Sequence, residues 1–283
     1  MRKSEGSVLC SSCRRLIHVS EKTCPHCGAV APSLFGFSPI LRRYLGENAD
    51  LPGLLITVNL ALFVLSLALD PRVFAESAQS FSIFTALSPS SEALYTLGMT
   101  GGVAITFGCW WTVLTASFLH GGLMHIVFNV MWTRNLGGVA VEAFGPARMM
   151  VLWLLTGVGG FVLSNEVSGA PTIGASCSLY GMMGALVVWG RRRGGTIGAN
   201  ISRQLLVWAG IGTLFAFGVG GVNHWGHLGG FLTGLLLGAV TPMAQRSQET
   251  RLVQLFALGL ILLTVGGFVA SAARLGPMML GGP

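Results

Sequence analysis

The chain has 283 residues, of which 52% are apolar and 10% charged. A soluble domain carries about a quarter charged residues, so this composition, with its 41 glycines, excludes an ordinary soluble fold and points to an all-α polytopic membrane protein. The net charge of +7 would suit a nucleic-acid binder, but the placement of the basic residues gives it another meaning, and no nucleic-acid partner is expected.

Residues 1–30 form a small polar module. Its start, MRKSEGSVLCSSCRR, lacks the apolar run of a cleavable signal, so the module is expected to stay attached. Cys10, Cys13, Cys24 and Cys27 read C-x2-C-x10-C-x2-C. Two thiolate pairs can fill a tetrahedral zinc shell, the glycine of CPHCG suits a metal knuckle, and a reducing cytoplasm disfavours disulfides. The expectation is a zinc-ribbon-like module holding structural Zn2+. Four thiolates leave no open position, so this zinc is not needed for catalysis; a redox or unmetallated tail is the alternative. His18 and His26 are read as bystanders, and the module's expected job is contact with a cytoplasmic protein partner or regulation.

Residues 31–50 read as a linker. Residues 51–243 then carry six apolar runs, and residues 244–283 a seventh with a short tail. The runs fall at Leu51–Leu69, Phe118–Leu136, Ala147–Leu163, Ala175–Trp189, Leu205–Val222, Trp225–Val240 and Leu252–Ala272. Lysine and arginine set the orientation. Those before the first run, between the second and third, between the fourth and fifth, and between the sixth and seventh all share one side; Arg72 and Arg274 alone face the other. This places the N-terminus in the cytoplasm and the C-terminus outside, and supports seven spans. The segment 70–117 is a long outer connection with apolar stretches, which suits a segment at the outer leaflet.

Ionisable groups within spans are costly and mark function. With this topology His120, His125 and Asn129 lie in the outer half of the second span. Ser176 lies in the first turn of the fourth, after a loop holding Glu166, and His227 in the first turn of the sixth. His125 and Asn129 share a helix face, whereas His120 is out of phase and needs a different role. The fourth run spans roughly 22 Å and is anchored by Arg191–Arg193, so Ser176 should begin a recessed helix below the edge of a roughly 30 Å core. A serine there gains from the positive helix end; a histidine can take its proton and Asn129 can donate to an oxyanion. Asp50 and Asp70 lie outside the spans, which suggests a Ser–His dyad. Gly226, Gly230, Gly234 and Gly238 repeat every four residues, and with Gly181, Gly184 and Ala185 they would let spans four and six approach closely.

The stretches SFLHGGLMHIVFNVMW, IGASCSLYGMMGAL and HWGHLGGFLTG resemble, in order, the rhomboid intramembrane serine proteases, and the likeness covers most of residues 51–243. The resemblance implies a six-helix core plus a seventh span. It implies Ser176 as nucleophile, His227 as general base, Asn129 and His125 on the oxyanion side, and Tyr180 as the ring on which the catalytic imidazole packs. It makes His120 structural and gives Gly230 the close contact between the catalytic helices. It also implies cleavage of single-span membrane proteins near the outer end of the span. Two residues depart from the family pattern: Cys177 stands where glycine usually follows the nucleophile, and Thr112 follows Trp111 where arginine is usual. The function expected is an intramembrane serine endopeptidase of a bacterial cytoplasmic membrane; the alternative is an inactive relative that binds membrane helices.

Overall fold

The structure, a computed structural model, describes residues 4–10, 15–26, 28, 32–33, 51–70, 73, 86–218 and 221–280. Near the N-terminus, strands β1 (Ser7–Leu9) and β2 (Leu16–His18) pair antiparallel with Val8 opposite Ile17. Each strand buries only its middle residue, as the two-residue period of a strand demands. Val8 and Ile17 cluster with Val19, Cys10 and Cys24.

Among the described residues, all other elements are helical. Helix α1 is Leu51–Ala68; the outer connection then holds the short helices α2 (Ser91–Thr96), α3 (Val103–Thr106) and α4 (Thr112–Thr115). The long helices α5 (Leu123–Phe144), α6 (Pro146–Val167), α7 (Ser176–Arg193), α8 (Gly195–Gly218), α9 (His224–Val240) and α10 (Arg251–Arg274) follow, and α11 (Gly276–Leu280) ends the described chain. Four helices are long and apolar enough to cross a membrane alone: α1, α6, α8 and α10. The stretch Thr112–Phe118 and α5 would together make a fifth, bent by 91°. Helix α7 carries three arginines in its last turn, and α9 has 17 residues against the 18 of α1.

Several helix ends differ from the apolar runs. The second begins at Leu123 rather than Phe118, because Gly121 and Gly122 interrupt the chain before it; it gains two turns at the far end, up to Gly145 (φ +91°). Pro146 opens α6 at the position where a missing N–H costs nothing, and α6 runs on through Glu166, which is therefore helical. Helix α8 starts at Gly195, well before Leu205. Its polar first half is held by packing of Gly198 on Gly190 and by the Ser202 hydroxyl, which donates to the Val187 carbonyl at 2.8 Å.

Helix α7 is the centre of the bundle, packed by α5, α6, α8 and α9. Its contact with α9 uses the four-residue glycine repeat. A Cβ on Gly238 would stand 2.6 Å from Ala185 Cα, and one on Gly234 would stand 2.9 Å from Gly181 Cα. Real Cβ atoms do not approach so closely, so the two backbones touch because side chains are missing. At the other end Arg192 donates to the Gly238 and Thr241 carbonyls at 2.7 and 2.8 Å. It thereby satisfies carbonyls that the last turn of α9 leaves unpaired. Below these helices, the Arg148 guanidinium donates to the Phe144, Ser247 and Gln248 carbonyls, and the Arg148 N–H donates to Glu249. This pins the α9–α10 loop to the α5–α6 turn. Burial pushes the Glu249 carboxyl above its ordinary range, with the Arg148 contact opposing the shift.

Candidate active site

The approach to Ser176 is an extended strip. Thr172 exchanges backbone hydrogen bonds with Thr100 (2.9 and 3.3 Å), and the Gly174 N–H donates to Ala116 at 2.9 Å. Gly174 sits at φ +126°, where a side chain is strained, and a Cβ there would lie 2.6 Å from His125 Nε2. The glycine two residues before the serine is thus required twice, for the turn and for clearance. Helix α7 begins at Ser176 itself, so the N–H groups of its first turn have no carbonyl four residues earlier within the helix.

His227 comes from the first turn of α9, and its Nε2 lies 2.9 Å from Ser176 Oγ. The imidazole is 8% exposed. Its ring stacks on Tyr180 with centroids 4.2 Å apart and planes 11° from parallel. His227 Nδ1 has no hydrogen-bond partner among the described residues, so stacking orients this ring. Tyr180 lies one turn beyond Ser176 on α7, and its hydroxyl is within 3.3 Å of the Thr213 hydroxyl on α8.

On the opposite side, the Gly121 N–H donates to His125 Nδ1 at 3.2 Å. A neutral imidazole that accepts at Nδ1 carries its proton on Nε2, the atom that faces Gly174. His125 therefore presents an N–H donor beside the serine. Asn129 lies one turn further along α5 and is buried. Its amide N–H donates to the His125 carbonyl at 2.7 Å, and its Oδ1 has no partner among the described residues. His120 lies in the bend before α5, fully buried, edge-on to His125 at 5.1 Å. The structure therefore brings Ser176, His227, Tyr180 and His125 together. Asn129 lies one helical turn beyond His125, with one amide hydrogen engaged by its own helix.

The two departures from the family pattern find partners. The Cys177 thiol is buried against α6 and α9, in the space left by two glycines: a Cβ on Gly226 would lie 2.7 Å from Cys177 Sγ, and one on Gly160 would lie 3.3 Å from it. The side chain leaves the serine face clear. In the outer connection, Trp111 Nε1 donates to Ser271 Oγ of α10 at 3.0 Å. Thr112 bridges the Cys109 carbonyl (2.7 Å) and the Thr100 hydroxyl (3.1 Å). Phe118 meets Phe268 edge-on at 6.2 Å, so α10 supports the connection. Sequence patterns alone did not single out Ser271, Thr172 or Asn223. Only Asn223 left a signal, as an asparagine placed to cap a helix start.

In the N-terminal module, Cys10 and Cys24 are both buried in the cluster with Val8, Ile17 and Val19. The Cys10 N–H donates to the Arg15 carbonyl, and the Gly28 N–H to the Cys24 carbonyl, each at 2.9 Å. Two buried cysteines beside one small hairpin suit the chemistry of a thiolate metal site. Cys13 and Cys27 lie outside the described residues, and no group of three metal-ligating side chains occurs among those described. His18 pairs with Ser20 at 2.6 Å.

Fold and site together define a class: a polytopic α-helical membrane protein in which a serine at a helix start meets a histidine from the neighbouring helix. Residues 107–244 match the family described as Rhomboid domain. The chain is 31% identical over 183 residues to the rhomboid protease GluP of Bacillus subtilis, covering 63% of this chain and 35% of GluP. It is 30% identical over 143 residues to the rhomboid protease GlpG of Klebsiella pneumoniae, covering 49% of this chain and 51% of GlpG. It is 29% identical over 151 residues to rhomboid-type serine protease 2 of Emericella nidulans, covering 50% of this chain and 29% of that protein. The chain thus spans about half or less of the length of these relatives. It is an integral membrane protein whose residues 107–244 are similar to the Rhomboid domain.

Proposed function

We propose that the chain is an intramembrane serine endopeptidase that cuts single-span membrane proteins near the outer end of the span. The observation that carries this reading is the 2.9 Å contact between Ser176 Oγ and His227 Nε2 at the start of α7. Ser176 Oγ attacks the scissile carbonyl carbon while its proton passes to His227 Nε2. The carbonyl oxygen becomes an oxyanion facing the first-turn N–H groups of α7, His125 Nε2–H and the free N–H of Asn129. Collapse breaks the C–N bond; the amine leaves with the proton from His227, and an acyl-serine remains. Water, deprotonated by the same imidazole, hydrolyses that ester. The side chains that kept the inactive reading open are engaged elsewhere, Cys177 against Gly160 and Gly226 and Thr112 with Thr100 and Cys109, which favours the active one.

Seven helices cross the membrane in this reading, α1 and α5–α10, with the N-terminus in the cytoplasm of a bacterium and Ser176 recessed below the outer surface. The experiment is cleavage of a reporter with a single span bearing small, helix-breaking residues, reconstituted in proteoliposomes. Wild type should cleave it and label with a fluorophosphonate probe, and Ser176→Ala should do neither. Equal cleavage by the two proteins would overturn the reading.

For the N-terminal module we infer a structural Zn2+ held by Cys10, Cys13, Cys24 and Cys27, with the hairpin as its scaffold and a cytoplasmic protein partner as its use. When bound, the metal supplies cross-linking rather than chemistry at Ser176. Elemental analysis of the purified full chain should find about one zinc per chain, lost in Cys10→Ser/Cys24→Ser. A wild-type chain without zinc would sink this assignment.

A further inference from the structure

Asn223 is placed to act on both halves of the dyad at once. It is the residue before α9, and its Oδ1 accepts from the Gly226 N–H at 2.8 Å, closing the turn that carries His227. Its Nδ2 donates to the Thr172 hydroxyl at 2.7 Å. Thr172 is the residue paired with Thr100 in the strip that leads through Gly174 to Ser176. Thr100 in turn accepts from the Asn165 amide of α6 (3.0 Å) and from Thr112 (3.1 Å). The amide is folded over a glycine that makes room for it: a Cβ on Gly226 would stand 2.6 Å from Asn223 Nδ2. Cys177 Sγ presses on the same glycine. The α7–α9 contact fixes the two helices along their length, but the strip before Ser176 belongs to neither helix. The Asn223 amide ties it directly to the start of α9.

Building on the proteolytic reading above, we propose that Asn223 is a positioning residue: its amide clips the Thr172 strip to the start of α9 and so sets the alignment of Ser176 with His227. A plain helix cap would stabilise α9 and nothing else. The clip predicts that cutting either end has the same catalytic effect. Asn223→Ser keeps a good N-cap but is too short to reach Thr172. Thr172→Val removes the hydroxyl without changing side-chain shape, and Thr172→Ser retains it.

The test measures kcat and KM on the single-span reporter for the full chain in proteoliposomes, together with the rate of fluorophosphonate labelling and the thermal midpoint. Asn223→Ser and Thr172→Val should each lower kcat and labelling rate by about tenfold to a hundredfold, the scale for a misplaced reacting group, with KM little changed. The double variant should be no worse than either single, and Thr172→Ser should stay near wild type. The clip is overturned if Asn223→Ser matches wild type, if the two losses multiply in the double variant, or if Thr172→Ser is as impaired as Thr172→Val. Failure of the wild-type chain to label at Ser176 would overturn the proteolytic reading itself, a result distinct from all of these.

Discussion

Replacing His227 with alanine should abolish reporter cleavage, by about 10⁴-fold or more, and should also abolish fluorophosphonate labelling of Ser176. The reasoning is that a serine hydroxyl is a poor nucleophile until a base removes its proton, and that members of such a unit fail together. Neither His125 nor His224 is placed to take over. His125 is committed by the Gly121 N–H to presenting a donor. His224 is stacked on Phe217 at 4.1 Å. The measurement is initial cleavage rate and labelling rate, beside a thermal midpoint to show that the bundle persists. Residual activity within tenfold of wild type would assign the base elsewhere.

The second large effect is expected at Gly230, with no change in any proton-transfer group. A Cβ there would stand 3.0 Å from the carbonyl carbon of Cys177 and closer still to its oxygen. That carbonyl is backbone, so it cannot swing aside as a flexible side chain would. Gly230→Val should therefore push α9 away from α7 one turn from the dyad, lengthening the Ser176–His227 contact. Overpacking of this kind costs about 1–3 kcal/mol, and a displacement near 1 Å costs about 100-fold in rate. We expect kcat to fall by about 100-fold or more, with a lowered thermal midpoint. A variant with wild-type turnover would show that the glycine repeat does not set the dyad.

Much of this site was legible before any coordinates. Span order and arginine placement put Ser176 and His227 at one depth. Tyr180 came from the resemblance alone, whereas the four-residue spacing put Asn129 one turn beyond His125. Those inferences depend only on helical period and chain direction, which sequence encodes locally. What escaped depends on distant partners. Nothing in the sequence pairs Trp111 with Ser271, or shows that Gly160 and Gly226 leave room for the thiol of Cys177. Asn129 illustrates a local competition: a carbonyl four residues back is always within reach in a helix, so part of its amide is engaged at home. Helix starts were misjudged where polar residues are helical, as over 195–204 in α8. There a serine bond and glycine packing substitute for the apolar pattern.

The tie between Trp111 and Ser271 joins residues 160 positions apart. A chain is made from its N-terminus onward, so the outer connection beside the serine has no such brace until residue 271 has been synthesised and inserted. By then Ser176 and His227 have long been in place. This brace thus arrives after Ser176 and His227, and a growing or truncated chain carries both without it. Insertion of α10 becomes the step that braces the segment beside Ser176.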